Sequence, residues 1–173
     1  MVSQQNINLI VKRLGCHRYS TIPPQNHMGG IWLLWNEENV DANVITKETR
    51  RIHCMVFNKI NLKQCMLSVI YAPSPEQEKE EFWYHLKQLN AVIKIPWCII
   101  GDFNEMLQTT KKIEGTQLND SKVHRLNEFL AYTKGCDANV QGRLFTWKKL
   151  LRGTLVYEKL DKVYLGRLPS VIS

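Results

Sequence analysis

The chain has 173 residues, a hydrophobic fraction of 44%, and 23 Lys or Arg against 16 Asp or Glu, for a formal charge of +7. That length suits one domain, the composition can build a core, and no run of about eighteen apolar residues exists to cross a membrane. The opening MVSQQNINLIVKRLG is too polar for a secretory signal, and five cysteines without a C-x-x-C pair read as free thiols. Free thiols imply a reducing, intracellular setting, nucleus or cytoplasm.

In chain order, Ile7, Ile10 and Leu14 recur at helical spacing and predict an amphipathic helix over 4–14 that ends near Gly15. TIPPQNHMGG reads as a loop, and GGIWLLWN after it as a strand buried on both faces. VDANVIT, RIHCMVFN and QCMLSVIYAP follow at short spacing and predict an antiparallel meander that stops at Pro73. His53 and Cys54 are adjacent within it, so a strand would send them to opposite faces rather than to one metal.

SPEQEKEEFWYHLKQLN is the clearest helix. Ser74 is placed as N-cap, Pro75 at the first helical position, Gln77 closing a capping box, and Phe82, Leu86, Leu89 and Ile93 as the apolar stripe. A short strand, 97–100, breaks at Gly101, and a polar loop with Lys111, Lys112 and Gly115 follows. A second helix begins near Asp120 or Ser121, lines one side with Val123, Leu126, Phe129 and Leu130, and ends at Gly135. RLFTWKK and LVYEKLDKVYL are the last two strands. Strands lie before, between and after the helices, which predicts a mixed α/β domain with some antiparallel sheet.

The charge is uneven. From residue 121 onward there are ten Lys or Arg against four Asp or Glu, while 61–120 holds six against eight. A basic C-terminal third suits a polyanion such as nucleic acid, and equally a solvated surface.

Chemistry concentrates in PWCIIGDFNEML, 96–107. In an extended segment Asp102 and Asn104 share one side, just past the end of an apolar strand. An ionised Asp accepts a proton or binds a cation, and an Asn can hold an anionic oxygen or orient water, a pairing suited to attack of water on a phosphodiester. Gly-Asp-x-Asn is also good turn chemistry, with the Asx side chains bonding their own backbone.

Six segments together carry a wider likeness: GGIWLLWNEE (29–38), VIYAPS (69–74), FWYHL (82–86), PWCIIGDFNEML (96–107), GRLFTW (142–147) and EKLDKVYL (158–165). Over about residues 5–167 the chain resembles the endonuclease domain of LINE-type non-LTR retrotransposons. That domain belongs to the endonuclease/exonuclease/phosphatase superfamily, with the apurinic/apyrimidinic endonucleases and DNase I. The resemblance implies an α/β fold, a partial DNase I-like four-layer α/β sandwich with mixed, largely antiparallel sheets. It implies Mg²⁺-dependent nicking of DNA. Asp102 matches the Asp that activates water or stabilises the departing oxygen, and Asn104 the Asn that holds the scissile phosphate. Tyr71 matches a Tyr that contacts that phosphate, and Ser74 a polar substrate contact. Asp161 matches the Asp that orients a catalytic His, and Trp147 an aromatic at the DNA-facing edge. Trp147 is at least as readable as a core residue, and packing with a satisfied hydroxyl is the lesser alternative for Tyr71.

The pattern also departs from the family. The family opens with two strands carrying a Trp-Asn motif and a Mg²⁺-ligating Glu, and closes with Ser-Asp-His. This chain starts at the following helix, and no His comes after His124. It is therefore expected to be one partial domain over 1–173, inactive or nearly so on its own, with doubtful Mg²⁺ affinity. A nucleic-acid-binding remnant is the alternative, and a phosphoesterase of small or lipid substrates a further one. Uncovered edges and apolar faces would make the fold marginal and prone to aggregate.

Overall fold

The computed structural model describes residues 4–25, 29–105, 120–138, 147–151, 154–158 and 161–166. In chain order the elements are α1 (Gln4–Arg13), β1 (Arg18–Ile22), β2 (Ile31–Trp35), β3 (Val40–Glu48), β4 (Arg51–Asn58), β5 (Lys63–Tyr71), α2 (Glu76–Val92), β6 (Trp97–Asp102), α3 (Asp120–Thr133), β7 (Cys136–Asp137), β8 (Trp147–Leu151), β9 (Thr154–Glu158) and β10 (Asp161–Leu165). The meander forms as its period-two pattern predicts, β3 to β4 to β5, all antiparallel. β5 then crosses over through α2 to the parallel strand β6, and β10 and β7 complete a six-stranded sheet in the order β3-β4-β5-β6-β10-β7.

Alternating side chains give that sheet two faces. Met66, Ile70, Trp97, Ile99 and Tyr164 meet Phe82, Trp83 and Leu86 of α2 and Leu126 and Phe129 of α3. On the other face Ile52, Cys54 and Val69 meet Ile22, Ile31 and Leu33 of the β1–β2 hairpin. The hairpin register turns Tyr19 the opposite way from Ile22, and its hydroxyl reaches Asn8 Oδ1 of α1 at 3.3 Å. The layers thus run α2/α3, six-stranded sheet, hairpin, α1, the expected four-layer α/β order. β8 and β9 pair as a separate antiparallel ribbon.

Several expectations are corrected. In α1 Val11 is buried and Ile7, one turn before it, half-buried, while Ile10 and Leu14 are exposed. β1 falls partly within the stretch read as loop, because its pairing with β2 supplies the order that its own sequence lacks. β2 buries Ile31 and Leu33 but only half-buries Trp32 and Leu34, so it has one core face rather than two. Pro75 rather than Ser74 is the N-cap of α2, with no side-chain cap bond. α3 ends at Thr133, and Lys134 after it takes the left-handed position (φ 52°), while the Gly135 N–H closes back on Leu130 O at 3.0 Å. Gly135 is instead a packing glycine: a Cβ there would stand 1.9 Å from the Tyr164 ring. β6 runs through Gly101 to Asp102 rather than breaking at the glycine. LVYEKLDKVYL divides into β9 and β10, and the stretch with Lys111, Lys112 and Gly115, the segment RLFT and the Val123 side chain lie outside the described residues. All five cysteines are free. His53 faces the helices and Cys54 the hairpin, as a strand requires. No helix among the described residues is long and apolar enough to cross a membrane.

Candidate active site

The crossover makes β5 and β6 parallel, so both present their carboxyl ends at one edge of the fold. Tyr71 ends β5 and Asp102 ends β6, and the register sets them side by side. β10 runs antiparallel to β6 and begins there, which places Asp161 beside Asp102 on the other flank. Three predicted residues from three strands therefore form one row. It lies on the hairpin side of the sheet, where Tyr71 and Ile100, two residues before Asp102, pack against the second core.

Gly101 makes the row possible. Its φ is +132°, and a Cβ would stand 2.0 Å from Ile70 O of the neighbouring strand. A glycine there lets β6 press against β5 while turning Asp102 outward. Beyond it the chain makes an Asx turn. The Asn104 N–H donates to Asp102 Oδ1 at 2.9 Å, with Asn104 itself in the left-handed region at φ 47°. The Asn104 Nδ2 donates to Ala72 O at 2.6 Å, and the Ala72 N–H donates to Asp102 O at 2.7 Å. The turn chemistry read from the sequence is thus present. One Nδ2 proton is committed to the backbone, and the amide has a second to offer.

The remaining candidates are less closely gathered. Ser74 is exposed ahead of α2, three residues past Tyr71. Trp147 opens β8 opposite Glu158, and its side chain lies outside the described residues. His124 is an exposed residue of α3, 3.8 Å from Glu128. His53 and His85 lie on the helix side of the sheet, their rings 6.1 Å apart.

One group was missed. Phe103 and Glu105 alternate with Asp102 and Asn104 and point the other way, into the helices, and both are buried. Glu105 Oε1 lies 3.2 Å from Lys79 Nζ of α2 and 3.2 Å from Arg125 Nε of α3. Burial pushes the Glu105 carboxyl above the usual carboxylate range, against the pull of Lys79 and Arg125. The sequence did hold a signal. Lys79, Phe82 and Leu86 stand at i, i+3 and i+7, so Lys79 belongs to the apolar stripe, and a lysine so placed needs an anion.

For a divalent cation, Asp102 and Asp161 offer two neighbouring carboxylates, the number Mg²⁺ commonly takes from protein beside substrate oxygens and water. Among the described residues no cluster of three or more His, Cys, Asp or Glu is placed to hold a metal.

No protein-family profile and no curated protein matches the chain. Solved structures do match. The endonuclease domain of TRAS1, a telomere-specific non-LTR retrotransposon, aligns with a TM-score of 0.64 at 14% identity over 86% of this chain and 66% of its own. A mannosyl-6-phosphatase of Bacteroides thetaiotaomicron aligns at 0.62, with 12% identity over 96% and 68%. TDP2 of D. rerio, complexed with a single-strand DNA product, aligns at 0.58, with 14% identity over 98% and 70%. The chain has the endonuclease/exonuclease/phosphatase fold, and it spans about two thirds of the length of these structures.

Proposed function

We propose that this chain is a retrotransposon-derived, endonuclease-like domain whose chemistry is hydrolysis of phosphodiesters in DNA, within the cell and with Mg²⁺ as the family cofactor. The observation that carries the reading is the row Tyr71–Asp102–Asp161, the first two at the carboxyl ends of the parallel strands β5 and β6 and the third at the start of antiparallel β10, with Asn104 one turn beyond. In this reading Asp102 accepts the proton of the attacking water, and the Tyr71 hydroxyl and the second Nδ2 proton of Asn104 donate to phosphate oxygens. Mg²⁺ would be held by Asp102 and Asp161, neutralising phosphate charge and lowering the pKa of a bound water. Ser74 and Trp147 remain candidates for substrate contact. The structural neighbours include both DNA-acting enzymes and a sugar phosphatase, so DNA is preferred over a small phosphoester on the basic excess from residue 121 onward and the retroelement-like motifs.

Among the described residues the row gathers two carboxylates and no third metal ligand or histidine, which makes a weak catalyst, so the chain should cut slowly. The test is nicking of supercoiled plasmid in Mg²⁺ or Mn²⁺. Weak nicking that disappears in Asp102→Ala is the expected result. Robust nicking abolished by that change would keep the site and overturn its expected weakness, and nicking indifferent to it would overturn the site. A second reading, a domain that binds nucleic acid without cutting, is favoured by the excess of ten basic over four acidic residues from position 121 onward.

A further inference from the structure

Beneath the Asp102–Asn104 turn lies an ion cluster that the proposed chemistry does not use. Lys79 Nζ, 2% exposed at its side chain, touches Glu105 Oε1 and Glu76 Oε1, each at 3.2 Å, and donates to Asn104 O at 3.4 Å. Arg125 bridges Glu105 and Glu76. Lys162 of β10 donates to the backbone oxygen of Glu105. Cations from α2, α3 and β10 therefore converge on one loop residue and on the carbonyl before it.

We propose that Glu105 is a positioning residue, whose carboxylate, held by Lys79 and Arg125, fixes the backbone that presents Asp102 and Asn104. The importance of that backbone rests on the phosphodiesterase reading. The physical reason lies in the peptide planes. Lys79 grips the carbonyl of Asn104 and Lys162 that of Glu105, so the peptide groups on both sides of Glu105 are oriented from the helix side. The plane following Asn104 sets its ψ, and with it whether Asn104 keeps a left-handed conformation that most residues avoid. In that conformation the Asn104 N–H meets Asp102 Oδ1 and its side chain reaches Ala72 O. Without the Glu105 carboxylate, Lys79 is a buried cation deprived of its buried counter-charge, and the grip on Asn104 O goes with it.

The test is NMR of the full chain, following amide exchange of Asn104 and the separate resonances of its side-chain NH₂. In Glu105→Gln the Asn104 amide should exchange about tenfold faster, or more, than core amides of α2 measured in the same sample. Its NH₂ pair should lose its distinct shifts. The double variant Lys79→Met/Glu105→Leu replaces a buried ion pair with an apolar one, a change that often restores stability. It should recover the wild-type Tm and keep the fast Asn104 exchange. Arg125→Met, at a partly exposed site, should give a smaller effect in the same direction, and it carries the test if the buried changes fail to fold. Lys87→Met, which cuts only the surface bridge to Glu128, should leave Asn104 unchanged. Asn104 signals that stay native in folded Glu105 and Arg125 variants would overturn the proposal. Failure of the phosphodiesterase reading looks different: wild type and Asp102→Ala would nick alike, while Asn104 still responded to Glu105.

Discussion

Gly101 shows how a single residue decides what the site can be. Its positive φ and the 2.0 Å approach of a virtual Cβ to Ile70 O leave no room for a side chain. Gly101→Ala should cost about 2–4 kcal/mol in urea unfolding and loosen the Asp102 turn, while Gly29→Ala, with nothing within 4 Å, should be near neutral. The Gly-Asp-x-Asn pattern was legible because glycine and Asx side chains have few other uses at a strand end. Glu105 was not, because a glutamate in a polar loop is ordinarily solvated; the apolar stripe signals that Lys79 needs an anion, and the fold identifies that anion as Glu105. His53 gives a second residue-scale prediction. It is 3% exposed, its Nδ1 lies 2.7 Å from Ser68 Oγ, and burial, with help from Arg51 and His85, pushes its pKa down to about 4. Below pH 6.5 the unfolded chain takes up the proton that the folded one refuses. Stability should therefore fall as pH drops from about 6.5 to 4, by up to about 3 kcal/mol from this group. Urea midpoints across that window should show the slope, and His53→Gln should flatten it.

At the scale of elements, regular periodicity was the reliable guide. The meander, α2 and α3 lie close to where alternation and helical spacing put them. Elements whose existence depends on a partner escaped. β1 is ordered by β2, and β7 is two residues long and held by β10. The helix layer shows why the periodic positions matter. Phe129 of α3 lies 5.1 Å from the Trp83 ring of α2, 5.4 Å from Tyr164 of β10 and 6.3 Å from Trp97 of β6. One side chain thus joins both helices to the two strands that carry Asp102 and Asp161. Phe129→Ala should cost about 3–5 kcal/mol by chemical denaturation, through lost burial and the cavity left behind. The exposed Tyr132, three residues on, should tolerate alanine within about 0.5 kcal/mol.

For the molecule as a whole, binding and cutting are separable quantities. The site supplies carboxylates, which repel phosphate unless a cation intervenes, so any attraction for DNA must come from the net charge of +7 and the basic excess beyond residue 121. Such attraction works by releasing counterions. If the chain neutralises roughly three to five phosphates, log affinity should fall against log salt with a slope of about −3 to −5. Fluorescence anisotropy of a labelled duplex between low and moderate salt measures it. Asp102→Ala removes a negative charge from the site and leaves the basic surface intact. It should therefore abolish any nicking while keeping the salt slope, with affinity unchanged or tighter. A slope near zero would leave the charge asymmetry as solvated surface and remove the support for DNA as the polyanion. Loss of binding in Asp102→Ala would instead place the main DNA contact at the carboxylate row, through a bound cation, and the affinity should then require Mg²⁺ as well.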